Sequence, residues 1–523
     1  MSPKRGVCVA SHTGHRQFYS ILCNKIEIRN LALESITVRI LKEAEDHSER
    51  EGKSSFARWT VLSVTTLSSF MAALDANIVV IALPRISHDF ATGVSLLGWI
   101  ISAYILATAM LLLQAGKLGD WYGKKKVYLL GFALFGIASA LCGLSQNTAE
   151  LISFRILQGV AAAILSATSA PLVFESFPPN ERGSALGVNG IAWAIGAVTG
   201  PVLGGFLVAI DWRLIFYINV PVATVAVLLG LRRIPESPPK RPLAAGAGIG
   251  INLLSSVFVA LTVAALLLWL TLFNPIFALV GAASFVVVVL SEKRSKIPLL
   301  NSDLRRNKGF AYSVSALGVF QTAFLAIPFG LSLFYQSLLG YSPIITGLSI
   351  APLPIFLGLT NPLSGRLADK LKKPAIISII GVLVVGVGTI ALGFEMDSPS
   401  LSPVYIGILL ALIGAGDGLI WTPTIVGIMK FTRSELRGLA NGTAFMVSNV
   451  GFAASIAILV AISATFLPSA AISQIYLGNL SNLTSSQALL FKEGISRALI
   501  VLGIIGFLSI PLLFMIRKEQ GKS

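Results

Sequence analysis

The chain has 523 residues, of which 54% are hydrophobic and only 12% are charged. Soluble domains carry about 25% charged residues, so this composition excludes a water-soluble globular protein. Three cysteines exclude a disulfide framework, and because three of the four histidines lie in the first fifty residues, no metal site is expected in the apolar part. The remaining question is where the net charge of +16 lies, because a basic excess indicates nucleic acid or an anionic surface as partner.

Apolar runs of membrane-spanning length recur along the whole chain. About 20 helical residues cross the roughly 30 Å hydrocarbon core of a bilayer. Because backbone N–H and C=O groups cannot remain unpaired in lipid, apolar runs of this length must form helices. The runs predict an all-α membrane protein with fourteen transmembrane helices, at 59–83, 96–116, 127–145, 150–174, 184–209, 214–231, 246–270, 275–291, 310–336, 344–364, 375–395, 404–428, 438–466 and 497–516.

The basic residues are distributed unequally between the two sides of this ladder. The six loops on the side of the N-terminus hold 22 lysines and arginines, and the seven opposite loops hold four, Arg85, Arg213, Lys492 and Arg497. The positive-inside rule therefore predicts a protein of the cell membrane with both termini in the cytoplasm. The charge excess therefore indicates orientation in a bilayer, and we expect no nucleic-acid partner.

Residues 1–56 and 517–523 are predicted to be cytoplasmic tails, with a lipid-surface or partner-binding segment as the alternative for 1–56.

Two short motifs each occur twice. Gly116–Asp120, after the second span, matches Gly365–Asp369, after the tenth, and Arg182–Gly187, before the fifth span, matches Arg437–Gly442, before the thirteenth. The separations, 249 and 255 residues, are nearly equal. Parallel repeats of this kind are typical of transporters with a substrate path along the seam between the two halves.

The repeat divides the predicted spans into two six-helix bundles and an inserted pair. We expect an N-terminal half at 57–235, two inserted helices at 236–300 and a C-terminal half at 301–516.

Three ionisable residues fall well inside the predicted spans, where such side chains are costly and by default functional. Asp75 in the first span and Arg155 in the fourth lie at depths that a long arginine side chain can bridge. We expect a pair in which the carboxylate exchanges a proton when the pairing changes. The alternative is a static buried ion pair that locks two helices together. Asp417, between Gly416 and Gly418 near the bilayer midplane, is predicted to bind a cation or a proton, with a local hydrogen-bonding or packing role as the alternative.

The repeated carboxylates suggest a cytoplasmic gate. An aspartate is favourable at a helix N-terminus, where unpaired N–H groups point toward it. We expect Asp120 to cap the thirteenth span at Gly438 and Asp369 to cap the fifth at Gly183, each across the seam between the halves. The alternative is that Asp120 is a solvated turn residue among lysines. The same gate is predicted to include Gly116, Gly123, Lys124, Arg182 and Arg437.

Five stretches together carry a family resemblance. They are Gly116–Lys126 (GKLGDWYGKKK), Leu74–Pro84, Arg155–Gly159, Gly196–Gly205 and Asp211–Pro221. With fourteen spans, this set resembles the major facilitator superfamily, and within it the fourteen-span drug:proton antiporter family. The resemblance implies the major facilitator fold, two six-helix bundles plus two inserted linker helices.

The resemblance also assigns further residues. It implies an antiporter motif in the fifth span, formed by Gly196, Gly200, Pro201, Gly204 and Gly205, and a substrate cavity that includes Asn77 and Gln158. It favours export over uptake.

The expected function is secondary active transport by alternating access. The chain is expected to export amphipathic organic compounds, including lipophilic cations, in exchange for protons, and to act as a monomer. No GxxxxGK[ST] motif occurs, so neither ATP nor any other cofactor is expected. Without a clustered catalytic set, we expect no enzyme activity. The alternatives are a proton-coupled symporter or facilitator for an organic solute and, in a different class, a non-transporting membrane sensor or scaffold.

Two glycosylation sequons, at Asn479 and Asn482, lie in the longest outward loop.

Overall fold

The computed structural model describes residues 57–79, 81–83, 85–90, 94–235, 253–272, 274–294, 302–324, 326–371, 374–398, 402–466 and 485–520. Every regular element in these ranges is a helix. The all-α architecture expected from the apolar runs is therefore confirmed. The tail at 1–56 and both sequons lie outside the described residues.

Helices coincide with all fourteen predicted runs. In chain order they are α1 Ala57–Leu83, α2 Val94–Tyr122, α3 Lys124–Leu144, α4 Thr148–Ser176, α5 Arg182–Ile210, α6 Leu214–Arg233, α7 Leu253–Leu272, α8 Pro275–Arg294, α9 Lys308–Gln336, α10 Ile344–Leu371, α11 Pro374–Asp397, α12 Pro403–Lys430, α13 Arg437–Ala464 and α14 Leu489–Glu519. A short helix, Ser302–Arg306, precedes α9, and a 3-10 turn, Ser434–Leu436, precedes α13.

Most of these helices can cross a membrane on their own. Among the described residues, twelve are long and apolar enough to do so, and α5 is the thirteenth if its two arms, which meet at 44°, form one span. The described part of the remaining predicted run, 246–270, lies in the 20-residue helix α7, and residues 246–252 are outside the described ranges. The chain is thus a multi-pass membrane protein.

The repeated motifs lie inside helices that extend past the ends of the apolar runs. Gly116–Asp120 forms the last turns of α2, and Gly365–Asp369 forms the last turns of α10. Arg182 and Arg437 are the first residues of α5 and α13. Hydropathy falls where charged side chains begin, but the i to i−4 hydrogen bonds of a helix continue past that point because they need no apolar side chains.

Helix packing follows the repeat. Within the first six helices, α4 packs against α2 and α3, and α3 packs against α6; within the last six, α12 packs against α10 and α11, and α11 packs against α14. The halves meet chiefly where α5 lies against α10 and where α2 lies against α13, which are equivalent positions in the two repeats. The helices α7 and α8 pack against each other, and α7 also packs against α2 and α13. The limits of the halves at 57–235 and 301–516 stay predictions.

Glycine allows the closest helix approaches within the N-terminal half. On α4, a methyl group added at Gly159 would lie 2.5 Å from the Tyr104 carbonyl oxygen of α2 and 2.9 Å from Ala107 Cβ. No larger residue fits there without moving one helix, so Gly159 sets the distance between α2 and α4.

We expect Gly159→Ala to lower the midpoint of thermal unfolding in detergent, because overpacking of this kind costs about 1–3 kcal/mol. Gly407→Ala in α12 is the matched control, since nothing lies within 4 Å of its Cβ position and alanine favours a helix over glycine. Equal unfolding midpoints for the two variants would contradict the close α2–α4 contact.

Candidate functional site

A buried ion pair joins α1 to α4. The Nη1 atom of Arg155 lies 2.7 Å from Oδ2 of Asp75, and the side chains are 1% and 0% exposed. Removing two charges from water costs several kcal/mol for each ion unless they are paired and fully hydrogen-bonded. The two residues singled out separately in the sequence are therefore in direct contact.

Two amides complete the hydrogen bonding of Asp75. Gln158 Nε2 donates to Oδ1 at 3.0 Å, and Asn219 Nδ2, from α6, donates to the same oxygen at 3.3 Å. Gln158 is itself held in place, because its Nε2 also donates to Ser139 Oγ at 2.8 Å and its Oε1 accepts from Arg155 Nη1 at 2.6 Å. We call Asp75, Arg155, Gln158, Asn219 and Ser139 the acidic cluster.

The acidic cluster also contacts α2, through Arg155. Its Nε donates to the carbonyl oxygen of Ile100 at 3.2 Å. Its guanidinium carbon lies 4.3 Å from the centre of the Tyr104 ring, within the range of a cation–π interaction. The guanidinium therefore ties α2 to the same carboxylate that holds α1 and α4.

Two residues of the acidic cluster were not predicted from the sequence. Asn219 and Ser139 had no assigned role, although an amide inside an apolar run needs a buried partner and Asn219 was therefore a detectable candidate. Gln158, expected in a substrate cavity, is 0% exposed and hydrogen-bonded within the cluster. Asn77 is half-buried, and its Nδ2 donates to Ala73 of its own helix at 2.7 Å. The cavity role of Gln158 and Asn77 stays a prediction.

Three glycines of α5 form the contact with α1. An added methyl group would lie 2.5 Å from the Phe70 carbonyl oxygen at Gly196, 2.7 Å from Asn77 Cβ at Gly200, and 2.9 Å from Ile78 Cγ1 at Gly204. These contacts bracket the turn of α1 that carries Asp75. Gly205 differs from them, because it faces Ile344 of α10 at an ordinary contact distance of 3.5 Å.

A bend in α5 lies within this glycine face, between Gly200 and Gly204. The arms Arg182–Gly200 and Val202–Ile210 meet at 44°. The residue between them is Pro201, which has no backbone N–H to continue the helical hydrogen bonds. Both arms contact α1, through Gly200 before the bend and Gly204 after it, and the second arm also approaches Ile344 of α10.

Asp120 joins α2 to the start of α13. Its Oδ1 accepts from the backbone N–H of Gly438 at 3.0 Å, and its Oδ2 accepts from Leu439 at 3.1 Å. The first N–H groups of a helix have no partner within the helix, so a carboxylate there satisfies them. The carboxylate is 5% exposed, which is inconsistent with a solvated turn residue.

Asp369 makes the equivalent contact between α10 and α5. Its Oδ2 accepts from the backbone N–H of Gly183 at 2.9 Å and from Ser184 at 3.2 Å. This carboxylate is half-buried, whereas Asp120 is fully buried. We call the Asp120–Gly438 and Asp369–Gly183 contacts the two seam caps; both pair the residues expected from the repeat.

Glycines allow the backbones at the seam caps to approach. A methyl group at Gly116 would collide with the carbonyl oxygen of Gly438, and one at Gly365 would collide with that of Gly183. Gly123, between α2 and α3, has a φ of 95°, which lies in the region that glycine adopts without a steric penalty.

Charged residues surround the Asp120 cap in a way that the sequence did not predict. Lys124 is buried and lies 3.2 Å from Asp120 and 3.0 Å from Glu175, at the end of α4. Glu175 also lies 3.8 Å from Arg437, the first residue of α13. The guanidinium carbons of Arg437 and Arg182 lie 4.7 and 4.3 Å from the centre of the Phe174 ring. Glu175 was missed because it lies at the edge of its span, where a carboxylate is unremarkable.

Asp417 lies apart from these groups, in the middle of α12. The residue is 5% exposed, and its Oδ1 has no hydrogen-bond partner within the described part of the chain. It differs from Asp75, whose carboxylate accepts three hydrogen bonds.

The chain is similar in sequence to known membrane transporters. The family model of the Major Facilitator Superfamily matches residues 65–456. The multidrug resistance protein Stp of Mycobacterium tuberculosis (strain CDC 1551 / Oshkosh) is 33% identical over 417 residues, which cover 78% of this chain and 76% of Stp. The riboflavin transporter RibZ of Clostridioides difficile (strain 630) is 31% identical over 409 residues, which cover 76% of this chain and 86% of RibZ.

The fold is also similar to that of a solved transporter. The crystal structure of the human organic anion transporter MFSD10 (TETRAN) matches with a TM-score of 0.61 at 17% sequence identity, covering 87% of this chain and 99% of that chain. With a family model that spans most of its length and relatives above 30% identity, this chain belongs to the Major Facilitator Superfamily and is a membrane transporter rather than an enzyme.

Proposed function

We propose that this transporter exports amphipathic organic compounds, including lipophilic cations, in exchange for protons. The observation that carries the proposal is the buried ion pair of Asp75 and Arg155, whose atoms lie 2.7 Å apart with no more than 1% exposure. The similarity to the multidrug resistance protein Stp supports export of organic compounds. The absence of a phosphate-binding motif from the sequence supports an ion gradient as the source of energy.

Protonation of Asp75 is the coupling step. When the carboxylate binds a proton it becomes neutral, and Arg155 is left as a buried charge without a counterion. Breaking a buried pair in this way costs about 3–5 kcal/mol. The protein can lower that cost by moving α1, α4 or α2 so that Arg155 finds water or another partner, and such a movement is the conformational change that transport requires.

The helices at the acidic cluster reach both seam caps. Arg155 contacts Tyr104 on α2, and Asp120 lies 16 residues further along the same helix, or about 24 Å at 1.5 Å per residue. The turn that carries Asp75 packs against Gly196 and Gly200 of α5, the helix capped by Asp369. A change in the cluster therefore acts on α2 and α5 together.

The seam caps act as the cytoplasmic gate. Each one closes the seam between the halves with hydrogen bonds from a carboxylate to the N-terminus of a helix in the other half. Both must break when the halves rock apart, and both reform when the path opens to the other side. Gly116, Gly123, Lys124, Arg182 and Arg437 support this gate.

A second candidate function is proton-coupled symport or facilitated transport of an organic solute. The observation that favours it is the 31% identity to the riboflavin transporter RibZ. The direction of proton-driven movement separates the two functions, because a symporter moves solute and proton together. The comparisons identify a transporter, so a sensor or scaffold role is not proposed.

The proposed setting is the cell membrane, with both termini in the cytoplasm and the monomer as the working unit. The excess of basic residues in the loops on the side of the termini supports this orientation.

We expect Asp75→Asn to abolish proton-driven accumulation of lipophilic cations in inverted vesicles with an imposed proton gradient. Asn cannot take up and release the proton. Asp397→Asn, at the exposed end of α11, is the matched control and should transport normally. Asp75→Asn alone leaves Arg155 without a counterion and should lower thermal stability. Adding Arg155→Gln should restore thermal stability, because no charge is then unpaired, but it should not restore transport. Proton-dependent accumulation that survives Asp75→Asn would remove Asp75 from the mechanism.

We expect Asp120→Asn combined with Asp369→Asn to open the seam on the cytoplasmic side. In a cysteine-free background, a single cysteine at Ala440, which is 0% exposed beside the Asp120 cap, should then react several times faster with a maleimide added from that side. Asp303→Asn is the control, because its ion pair with Arg433 is exposed and contributes about 0–1 kcal/mol. Unchanged labelling in the double variant would refute the gate.

We expect the two ends of α3 to lie on opposite sides of the membrane. In a background with Cys8, Cys23 and Cys142 replaced by serine, Gln146→Cys should react with an impermeant maleimide added to intact cells. Lys126→Cys, equally exposed at the other end, should react only after permeabilisation. The reverse pattern would overturn the proposed orientation.

A further inference from the structure

Asp417 lies on α12 where this helix packs closely against α10 and α11. It is 5% exposed, about halfway along Pro403–Lys430. A methyl group at Gly416 would lie 3.0 Å from the Gly381 carbonyl oxygen of α11, and one at Gly418 would lie 2.9 Å from the Leu357 carbonyl oxygen of α10. The glycines on either side of Asp417 therefore bring α11 and α10 close to it.

The nearest hydroxyl groups of α10 bond to backbone carbonyls. Thr360 Oγ1 donates to Phe356 of its own helix at 2.8 Å, and Ser364 Oγ donates to the carbonyl oxygen of Gly418 at 2.7 Å. The Oδ1 atom of Asp417 has no hydrogen-bond partner among the described residues. The polar atoms that pack around this part of α12 thus leave the carboxyl group unsatisfied.

Among the described residues, no charged side chain pairs with Asp417. No lysine, arginine, histidine or second carboxylate in the described ranges acts on this buried carboxyl. The facing residues of α10 and α11, including Leu357, Thr360 and Gly381, cannot ionise. A buried carboxylate without a counterion or hydrogen bonds is far too costly to persist, and either a proton or a bound cation removes that cost.

We propose that Asp417 is a second cation site, separate from the acidic cluster, which carries a proton while the seam caps are closed and exchanges it for the positively charged group of an organic cation. The assignment rests on the proposed function, since it supplies a place in the C-terminal half where such a substrate binds. It assigns the two carboxylates different tasks, with Asp75 changing its pairing with Arg155 and Asp417 contacting the substrate.

The exchange balances in charge. When α10 or α11 moves away from α12 and admits water, the O–H bond of the carboxyl breaks and the proton passes to that water. The carboxylate then pairs with the cationic group of the substrate. One positive charge leaves the site and one enters it, and between the two steps the admitted water solvates the carboxylate, so no unsolvated charge remains in the low-dielectric interior.

The protonated carboxyl is tested by infrared spectroscopy on the purified full-length protein. We expect wild-type protein at neutral pH to show the carbonyl stretch of a protonated carboxylic acid, and Asp417→Asn to lack it. Asp75→Asn should keep this band. Because an amide replaces a neutral acid of the same shape, Asp417→Asn should unfold at the wild-type temperature. A wild-type spectrum without the band, or a band that persists in Asp417→Asn, would overturn the proposal.

The exchange is tested with tetraphenylphosphonium as the probe. We expect wild-type protein to release a proton on binding it in weakly buffered solution. We expect Asp417→Asn to bind it at least about tenfold more weakly, a difference of 1.4 kcal/mol, and without proton release. Wild-type affinity with unchanged proton release in Asp417→Asn would overturn the exchange, and so would a wild-type protein that binds no probe.

The outcomes separate this inference from the proposed function. If the protein exports no compound in exchange for protons, transport assays fail for the wild type, yet the Asp417-dependent infrared band remains. If Asp417 is not the cation site, transport continues in Asp417→Asn while Asp75→Asn abolishes it.

Discussion

The cost of an unpaired charge inside the membrane is the constraint on which this structure depends. Arg155 can be buried only because Asp75 lies 2.7 Å away, and Asp75 only because Gln158 and Asn219 complete its hydrogen bonds. With Ser139 of α3 and the α2 contact of Arg155, that requirement brings five helices, α1, α2, α3, α4 and α6, to one point. In our proposal, a change in the protonation of Asp75 alters how these helices pack and so begins the movement in transport.

The two seam caps follow from a sequence repeat, but their surroundings are unequal. Asp120 is fully buried, with Lys124 and Glu175 beside it, whereas Asp369 is half-buried. The helix α7 packs against α2 and α13, on the side of the Asp120 cap. This helix therefore adds contacts to the seam that holds the Asp120 cap.

The two intramembrane carboxylates represent different physical situations. Asp75 has a counterion and donors from two amides, so it is compatible with a negative charge. Asp417 is also buried but has an unsatisfied oxygen among the described residues. The same residue type is therefore suited to two tasks in our proposals, a change of pairing in the N-terminal half and direct contact with a cation in the C-terminal half.

The sequence by itself determined the number and approximate place of the apolar helices, the internal repeat, and the pairing of Asp75 with Arg155 and of Asp120 with Gly438. These features depend on local hydropathy, on depth along a helix and on the spacing of repeated motifs. Only the tertiary structure decided that Asn219 is a third donor to Asp75, that Glu175 bridges Lys124 and Arg437, and that the repeated motifs are helical. Those facts arise from the rotation of packed helices about their axes and from side chains that meet across helices distant in the chain, which hydropathy and spacing do not encode.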